Sequence, residues 1–213
     1  MRYSAYIFDF DYTLVDSSVG IVGCFQRTMR SMGQPIPDAD DIKRTIGMPM
    51  PDAVGKLINT TDKALIEDFI RRYQPFADKY MTDGTTFFPH TVETLTELKR
   101  RGAKVAIVSS KTSWRIMEKW EREGCASLID YVVGAHEVEH LKPAPDGMMM
   151  ALKALGAEKS DTLYCGDSTI DAETAVNAGL DFAGVTTGTT PADVLARYPH
   201  VKIMSDIKEI LDI

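Results

Sequence analysis

Two carboxylates one residue apart, Asp9 and Asp11, close the apolar run Tyr6-Ile7-Phe8 and are followed by the hydroxyl of Thr13. Paired acids repel each other and lose hydration when buried, so they need a cation or strong donors beside them. Read alone, the stretch fits a turn equally well, with Thr13 capping a helix. Three further stretches carry groups of complementary type: Ser109-Ser110-Lys111, Lys142-Pro143, and Gly166-Asp167 with Asp171. Hydroxyls and ammonium groups suit phosphoryl oxygens, and carboxylates suit a hard cation. Mg²⁺ takes oxygen ligands in near-octahedral geometry, commonly one or two carboxylates with water and substrate phosphate. Asp9, Asp167 and the backbone carbonyl of Asp11 would suit it.

For these groups to meet, they must leave one edge of one sheet. The run from Tyr3 to Phe8 lacks polar alternation and reads as a strand buried on both faces, and ligands of open α/β sheets sit at the carboxyl ends of such strands. Further strands are expected at Lys104–Val108, Tyr131–Val133, Thr162–Cys165, Phe182–Val185 and Val201–Met204, separated by helices at Thr91–Arg101, Ser113–Glu123, Pro145–Leu155 and Ile170–Ala178. A last helix is expected from Asp206. Strands alternating with helices of this length imply right-handed crossovers and a parallel sheet covered on both faces. Between Asp16 and Gly84 the spacing is helical throughout: a first helix closed by Gly33, a short one over Asp38–Ile46, one near Pro51, and a longer one carrying Leu65, Phe69 and Tyr73. The expected architecture is α/β. It has a three-layer α/β/α core from residues 1–15 and 86–213, and a small all-helical domain from residues 16–85.

The bulk properties narrow the function classes. The 213 residues are 44% hydrophobic, ordinary for a globular protein with a sizeable core. With 31 acidic residues against 24 Lys and Arg, the net charge is −7 and no basic stretch forms, which argues against a nucleic-acid partner or an anionic membrane surface. Cys24, Cys125 and Cys165 are scattered without metal-type spacing, consistent with a reducing cytoplasm and no disulfide framework. No signal-like or membrane-length apolar run precedes Asp9 or follows it.

In order along the chain, Asp9-Phe10-Asp11-Tyr12-Thr13-Leu14, Ser109, Lys142-Pro143-Ala144-Pro145-Asp146, and Gly166-Asp167-Ser168-Thr169-Ile170-Asp171 resemble the four motifs of the haloacid dehalogenase superfamily. The resemblance covers nearly all of the chain outside the helical block, which is similar to the cap of the phosphoglycolate-phosphatase-like branch. It implies a Rossmann-like core and a Mg²⁺-dependent phosphatase acting on a small phosphorylated metabolite, phosphoglycolate first among candidates. It also assigns roles. Asp9 would attack phosphorus and form an aspartyl-phosphate, and Asp11 would serve as acid and then base. Thr13, Ser109, Ser110 and Lys142 would bind the phosphoryl group, and Asp9, Asp11, Asp167 and Asp171 the metal. In the cap, Arg44, Thr45 and Gly47 would contribute to substrate choice. A monomer or homodimer is expected.

The sequence also departs from the pattern. Tyr12 stands where the family usually has Gly, and Ser110 replaces the usual Asn. Lys111 fits either the pocket entrance or an exposed helix start. The stretch His136-Glu137-Val138-Glu139-His140 satisfies H-E-x-x-H, but that zinc motif works only on a helix, and Gly134 and Pro143 leave too little room for one. His90 reads as a linker residue, Trp114 and Trp120 as core, and Met148-Met149-Met150 as a packed helix face. Two competing readings share the motifs: a sugar-phosphate mutase of the β-phosphoglucomutase type, and a phosphate-sensing protein without turnover.

Overall fold

The computed structural model describes residues 2–213. In chain order its elements are β1 (Ala5–Phe8), β2 (Val15–Asp16), α1 (Ser18–Ser31), α2 (Ala39–Lys43), α3 (Met50–Leu57), α4 (Lys63–Tyr80), β3 (Thr86–Phe87), α5 (Thr91–Arg100) and β4 (Lys104–Val108). They continue with α6 (Ser113–Arg122), β5 (Tyr131–Val133), α7 (Asp146–Leu155), β6 (Thr162–Gly166), α8 (Thr169–Ala178), β7 (Asp181–Val185), α9 (Ala192–Leu195), β8 (Lys202–Met204) and a 3₁₀ helix over Ile207–Asp212. The chain divides into two compact units: residues up to Val15 together with Phe87–Ile213, and Asp16–Thr86.

The larger unit is built on a parallel sheet of order β5-β4-β1-β6-β7-β8. Within β1, Tyr6 and Phe8 enter the core that includes Leu98, Ile116 and Trp120, while Ala5 and Ile7 enter the one that includes Met148, Leu152 and Ala175. Both faces are therefore covered by helices, which is why the strand shows no polar alternation. The chain order reverses about β1, since β4 lies on one side and β6 on the other. Phe8 is level with Ile107 and with Cys165, so the residues just beyond them leave the sheet at one height. A crevice at such a switch point is where α/β sheets place ligands.

The second unit has its own core around Phe25, Met29, Val54, Phe69 and Tyr73. Its longest helix, α4, begins at Asp62, whose carboxylate accepts from Ala64 N and Leu65 N, and it tolerates Pro75 within its span. The missing proline donor is offset by burial of Phe69, Tyr73 and Ala77 along one stripe. Gly20 N donates to Gly84 O at 3.0 Å, closing the start of α1 against the unit's last turn.

Several expectations need correction. The last helix is a 3₁₀ helix, and α9 escaped a reading by periodicity because four residues hold barely one turn. The short helix expected over Asp38–Ile46 spans only Ala39–Lys43. Trp114 is not core: it is 49% exposed, with the Arg115 guanidinium 4.2 Å from its ring, whereas Trp120 is fully buried. Met148 is buried but Met149 is exposed, so the methionine run does not form one packed face. Among the described residues no helix is long and apolar enough to cross a membrane.

Candidate active site

Asp9 follows the last residue of β1 and is almost fully buried, its N–H donating to Cys165 O at 2.9 Å. The chain then turns sharply, with Phe10 O accepting from Thr13 N, Leu14 N and Val15 N at 3.0–3.3 Å. Tyr12 takes a left-handed conformation, φ 63°, at the crest of this turn. Here glycine is the residue without steric cost, which accounts for the family's preference and makes tyrosine the strained choice. From the loop after β7, Thr187 Oγ1 donates to Tyr12 O at 2.5 Å and holds the turn.

Lys142 is the hub of the site. Its ammonium donates to Asp9 Oδ1 at 2.8 Å and Asp171 Oδ1 at 2.7 Å, and lies 3.3 Å from Tyr164 Oη. Tyr164 donates in turn to Asp171 Oδ1 at 2.6 Å. Burial, with Asp171 and Asp9 nearby, keeps the Tyr164 hydroxyl protonated far above its usual range, so it remains a donor. The other oxygen of Asp171 accepts from Ser168 N and Ser168 Oγ at 3.1 and 2.6 Å, the reciprocal cap that starts α8.

Oxygen atoms of Asp9, Asp167 and Asp171 all lie within 4.8 Å of one another, and the three residues are buried. Asp167 accepts from Thr13 Oγ1 at 3.1 Å. Its carboxylate occupies the space of a side chain on Gly188, where a Cβ would stand 1.8 Å from Oδ2. Counting Asp9, Asp11, Asp167 and Asp171 against Lys111 and Lys142, two negative charges stay unmatched when all are ionised. Burial pushes the Asp9 carboxyl up to about 6 even though Lys142 opposes the rise. Asp167 is likewise raised, by burial and then by Asp171 and Asp9. Asp171 is lowered because Lys142, Ser168 and Tyr164 together outweigh its burial. The unmatched charge equals that of one divalent cation, and the residues present fit such an ion.

The expected site residues therefore divide. Asp9, Lys142, Asp167 and Asp171 come together, as do Asp11 and Lys111, whose ammonium stands 2.9 Å from Asp11 Oδ1. The Thr13 hydroxyl donates to Asp167 at the edge of this cluster. The Asp11 carboxylate stands outside the acidic group, leaving only its backbone carbonyl as a candidate ligand. Ser109 and Ser110 line a cavity with Lys142, Gly134 and His140, and the buried Ser110 hydroxyl has no hydrogen-bond partner among the described residues. Arg44, Thr45 and Gly47 belong to the second unit, where Arg44 pairs with Asp41 and Thr45 Oγ1 donates to Ile42 O at 2.7 Å.

The H-E-x-x-H stretch forms turns, as its flanking Gly and Pro required. Glu137 accepts from Gly134 N at 2.9 Å and from Ser113 Oγ, and His140 Nδ1 faces Asp146 at 3.0 Å. Two contributors escaped sequence reading. Tyr164 looks like one more apolar strand residue, and the Thr186–Thr190 loop lies outside the four motifs, although its place after β7 marks the same sheet edge.

The sequence profile described as haloacid dehalogenase-like hydrolase matches residues 6–185. The chain is 33% identical to a probable phosphatase, IndB, of Dickeya dadantii, covering 96% of this chain and 90% of that one. It is 30% identical to a phosphoglycolate phosphatase of Rhodobacter capsulatus (97% and 94% covered) and 28% identical to the pyrophosphatase PpaX of Oceanobacillus iheyensis (97% and 94%). The crystal structure of a Bacteroides fragilis protein described as haloacid dehalogenase-like superimposes with a TM-score of 0.95 at 40% identity, covering 98% of this chain and all of the other.

Proposed function

Because the chain belongs to the haloacid dehalogenase-like hydrolase family and is a phosphatase, we propose that it hydrolyses small phosphorylated metabolites of the phosphoglycolate type through a phosphoaspartate on Asp9. The observation that carries this reading is the buried contact between Asp9 Oδ1 and Lys142 at 2.8 Å inside an acidic cluster with excess negative charge. Lys142, turning from Asp9, and the Ser109 hydroxyl hold phosphoryl oxygens, and a carboxylate oxygen of Asp9 attacks phosphorus as the bond to the leaving oxygen breaks. Asp11 gives that oxygen a proton. A water then attacks the phosphoaspartate, Asp11 takes the water's proton, and inorganic phosphate leaves with Asp9 restored.

Mg²⁺, held by Asp9, Asp167 and the Asp11 carbonyl, would offset the repulsion between these acids and an incoming phosphate dianion. The unit Asp16–Thr86 serves as the cap that selects the substrate, with Arg44, Thr45 and Gly47 as its contributors. Cys24, Cys125 and Cys165 form no disulfide, which suits a reducing cytoplasm. A second reading, inorganic pyrophosphate as substrate, is favoured by the similarity to PpaX over 97% of the chain.

Replacing Asp9 with Asn should cut phosphate release by at least about 10³-fold with Mg²⁺ present while leaving the circular dichroism spectrum unchanged. Near-normal turnover of a phosphometabolite panel by Asp9→Asn would refute the nucleophile assignment. The same panel, with inorganic pyrophosphate included, decides between the two substrate readings.

A further inference from the structure

The two ammonium groups of the site are held very differently. All the donors of Lys142 are occupied, by Asp9, Asp171 and Tyr164. Lys111 has a single ion-pair contact, 2.9 Å to Asp11 Oδ1, and that oxygen lies outside hydrogen-bond alignment with it. The Phe10 ring, 5.8 Å away, lends only a weak cation–π contact. Yet the root of Lys111 is fixed. Ala135 N donates to Lys111 O at 3.1 Å, and Lys111 N reaches Ser109 Oγ at 3.4 Å. Gly134 packs so closely that a Cβ would meet Ser113 N at 2.4 Å and Lys111 O at 2.6 Å. Glu137 ties the two loops together through Gly134 N and Ser113 Oγ. A side chain anchored at its base, only 9% exposed, and met at its charged tip by a single carboxylate is suited to changing partners.

We propose that Lys111 receives a second anionic group of the substrate, so that the preferred substrates are phosphate esters or anhydrides bearing another carboxylate or phosphate close to the scissile bond. The proposal rests on the phosphatase reading above. Where Asp11 serves the leaving oxygen at hydrogen-bond distance, Lys111 lies within roughly 6 Å of that oxygen. That span admits an anion attached directly to the bridging oxygen or one carbon beyond it. On binding, Lys111 exchanges Asp11 for the substrate's second anion, and the Asp11 carboxylate is left to the leaving oxygen. No bond beyond those of the phosphoryl transfer is made or broken.

The test compares the wild-type protein with Lys111→Met and Lys111→Arg in Mg²⁺. Free phosphate is measured from p-nitrophenyl phosphate, which has one anionic group, and from 2-phosphoglycolate and inorganic pyrophosphate, which have two. Lys111→Met should lower kcat/KM for the two-anion probes roughly 10- to 100-fold more than for p-nitrophenyl phosphate, chiefly through KM, and Lys111→Arg should recover most of the loss. Pyrophosphate should also inhibit p-nitrophenyl phosphate hydrolysis with a Ki raised about 10-fold or more in Lys111→Met. Equal losses on all three probes, or none, would overturn the proposal and leave the phosphatase reading standing. So would a wild-type enzyme that prefers p-nitrophenyl phosphate to both two-anion probes. Failure of the wild type on every probe and on the wider panel would overturn the phosphoester reading, and this proposal with it. Melting curves of both variants show whether a loss reflects unfolding.

Discussion

Both oxygens of Asp171 are filled by protein donors: Lys142 and Tyr164 on one, the backbone and hydroxyl of Ser168 on the other. A carboxylate has about four lone-pair sites, so those of Asp171 are engaged within the fold even though it stands within the acidic cluster. One of its oxygens anchors Lys142. Asp167, by contrast, accepts from Thr13 alone among the bonds that define it. Half-saturation by Mg²⁺, read from the metal-dependent rise in melting temperature, should therefore increase roughly 10- to 100-fold in Asp167→Asn, and much less in Asp171→Asn. Comparable increases in the two variants would return Asp171 to the metal. From sequence the two aspartates look alike, because only the coordinates reveal that Tyr164, a residue of a buried strand, spends its hydroxyl on one of them. The H-E-x-x-H residues pose the opposite problem. There the motif is legible, but the flanking Gly134 and Pro143 carry the better information.

At the scale of elements, the strands and long helices were legible because each has many residues repeating one period, and their ends moved by only a residue or two. The C-terminal segment was not, since Ile207–Asp212 owes its form to local capping. Glu209 accepts from Ser205 N at 2.9 Å, Ser205 Oγ at 3.0 Å and Asp206 N at 3.2 Å, and faces Lys202 at 3.2 Å. The Ser205 N–H foremost, then Lys202, holds its carboxyl down at about 2, against an ordinary 4.5. A lowered carboxyl stabilises the fold above its unfolded value, and that contribution fades as pH falls from about 4.5 toward 2. Glu209→Gln should accordingly lower Tm by about 2–4 °C at pH 7, with the gap to wild type narrowing below pH 4.5. A gap independent of pH would mean the carboxylate charge is immaterial. In the other unit, a Cβ on Gly84 would fall 2.5 Å from the backbone of Gly20. Gly84→Ala should cost about 1–3 kcal/mol, seen as a shift of roughly 3–10 °C in thermal unfolding. An unchanged Tm would show that α1 yields freely there.

For the molecule as a whole, an ion held by the acidic cluster would link folding to cation supply, because metal that binds only the folded chain stabilises it by mass action. Adding Mg²⁺ at about ten times its dissociation constant should raise Tm by roughly 3–5 °C, and chelator should reverse the gain. The Asp9→Asn protein should show a smaller rise. The order of motifs made the larger unit readable, since four strand exits needed a common edge. What the helical unit contributes was not readable, because Arg44 there engages a local partner. Strand order has one more consequence, in time. β1 emerges first during synthesis, but its neighbours β4 and β6 begin only at Lys104 and Thr162, and the contiguous Asp16–Thr86 unit can close before either exists. At about 5–20 residues per second, the strand that leads into Asp9 waits roughly 8–30 s for its second flank. Throughout that interval its apolar residues are an unpaired edge on the nascent chain, so the central strand of the finished sheet is the segment most in need of shelter on the ribosome.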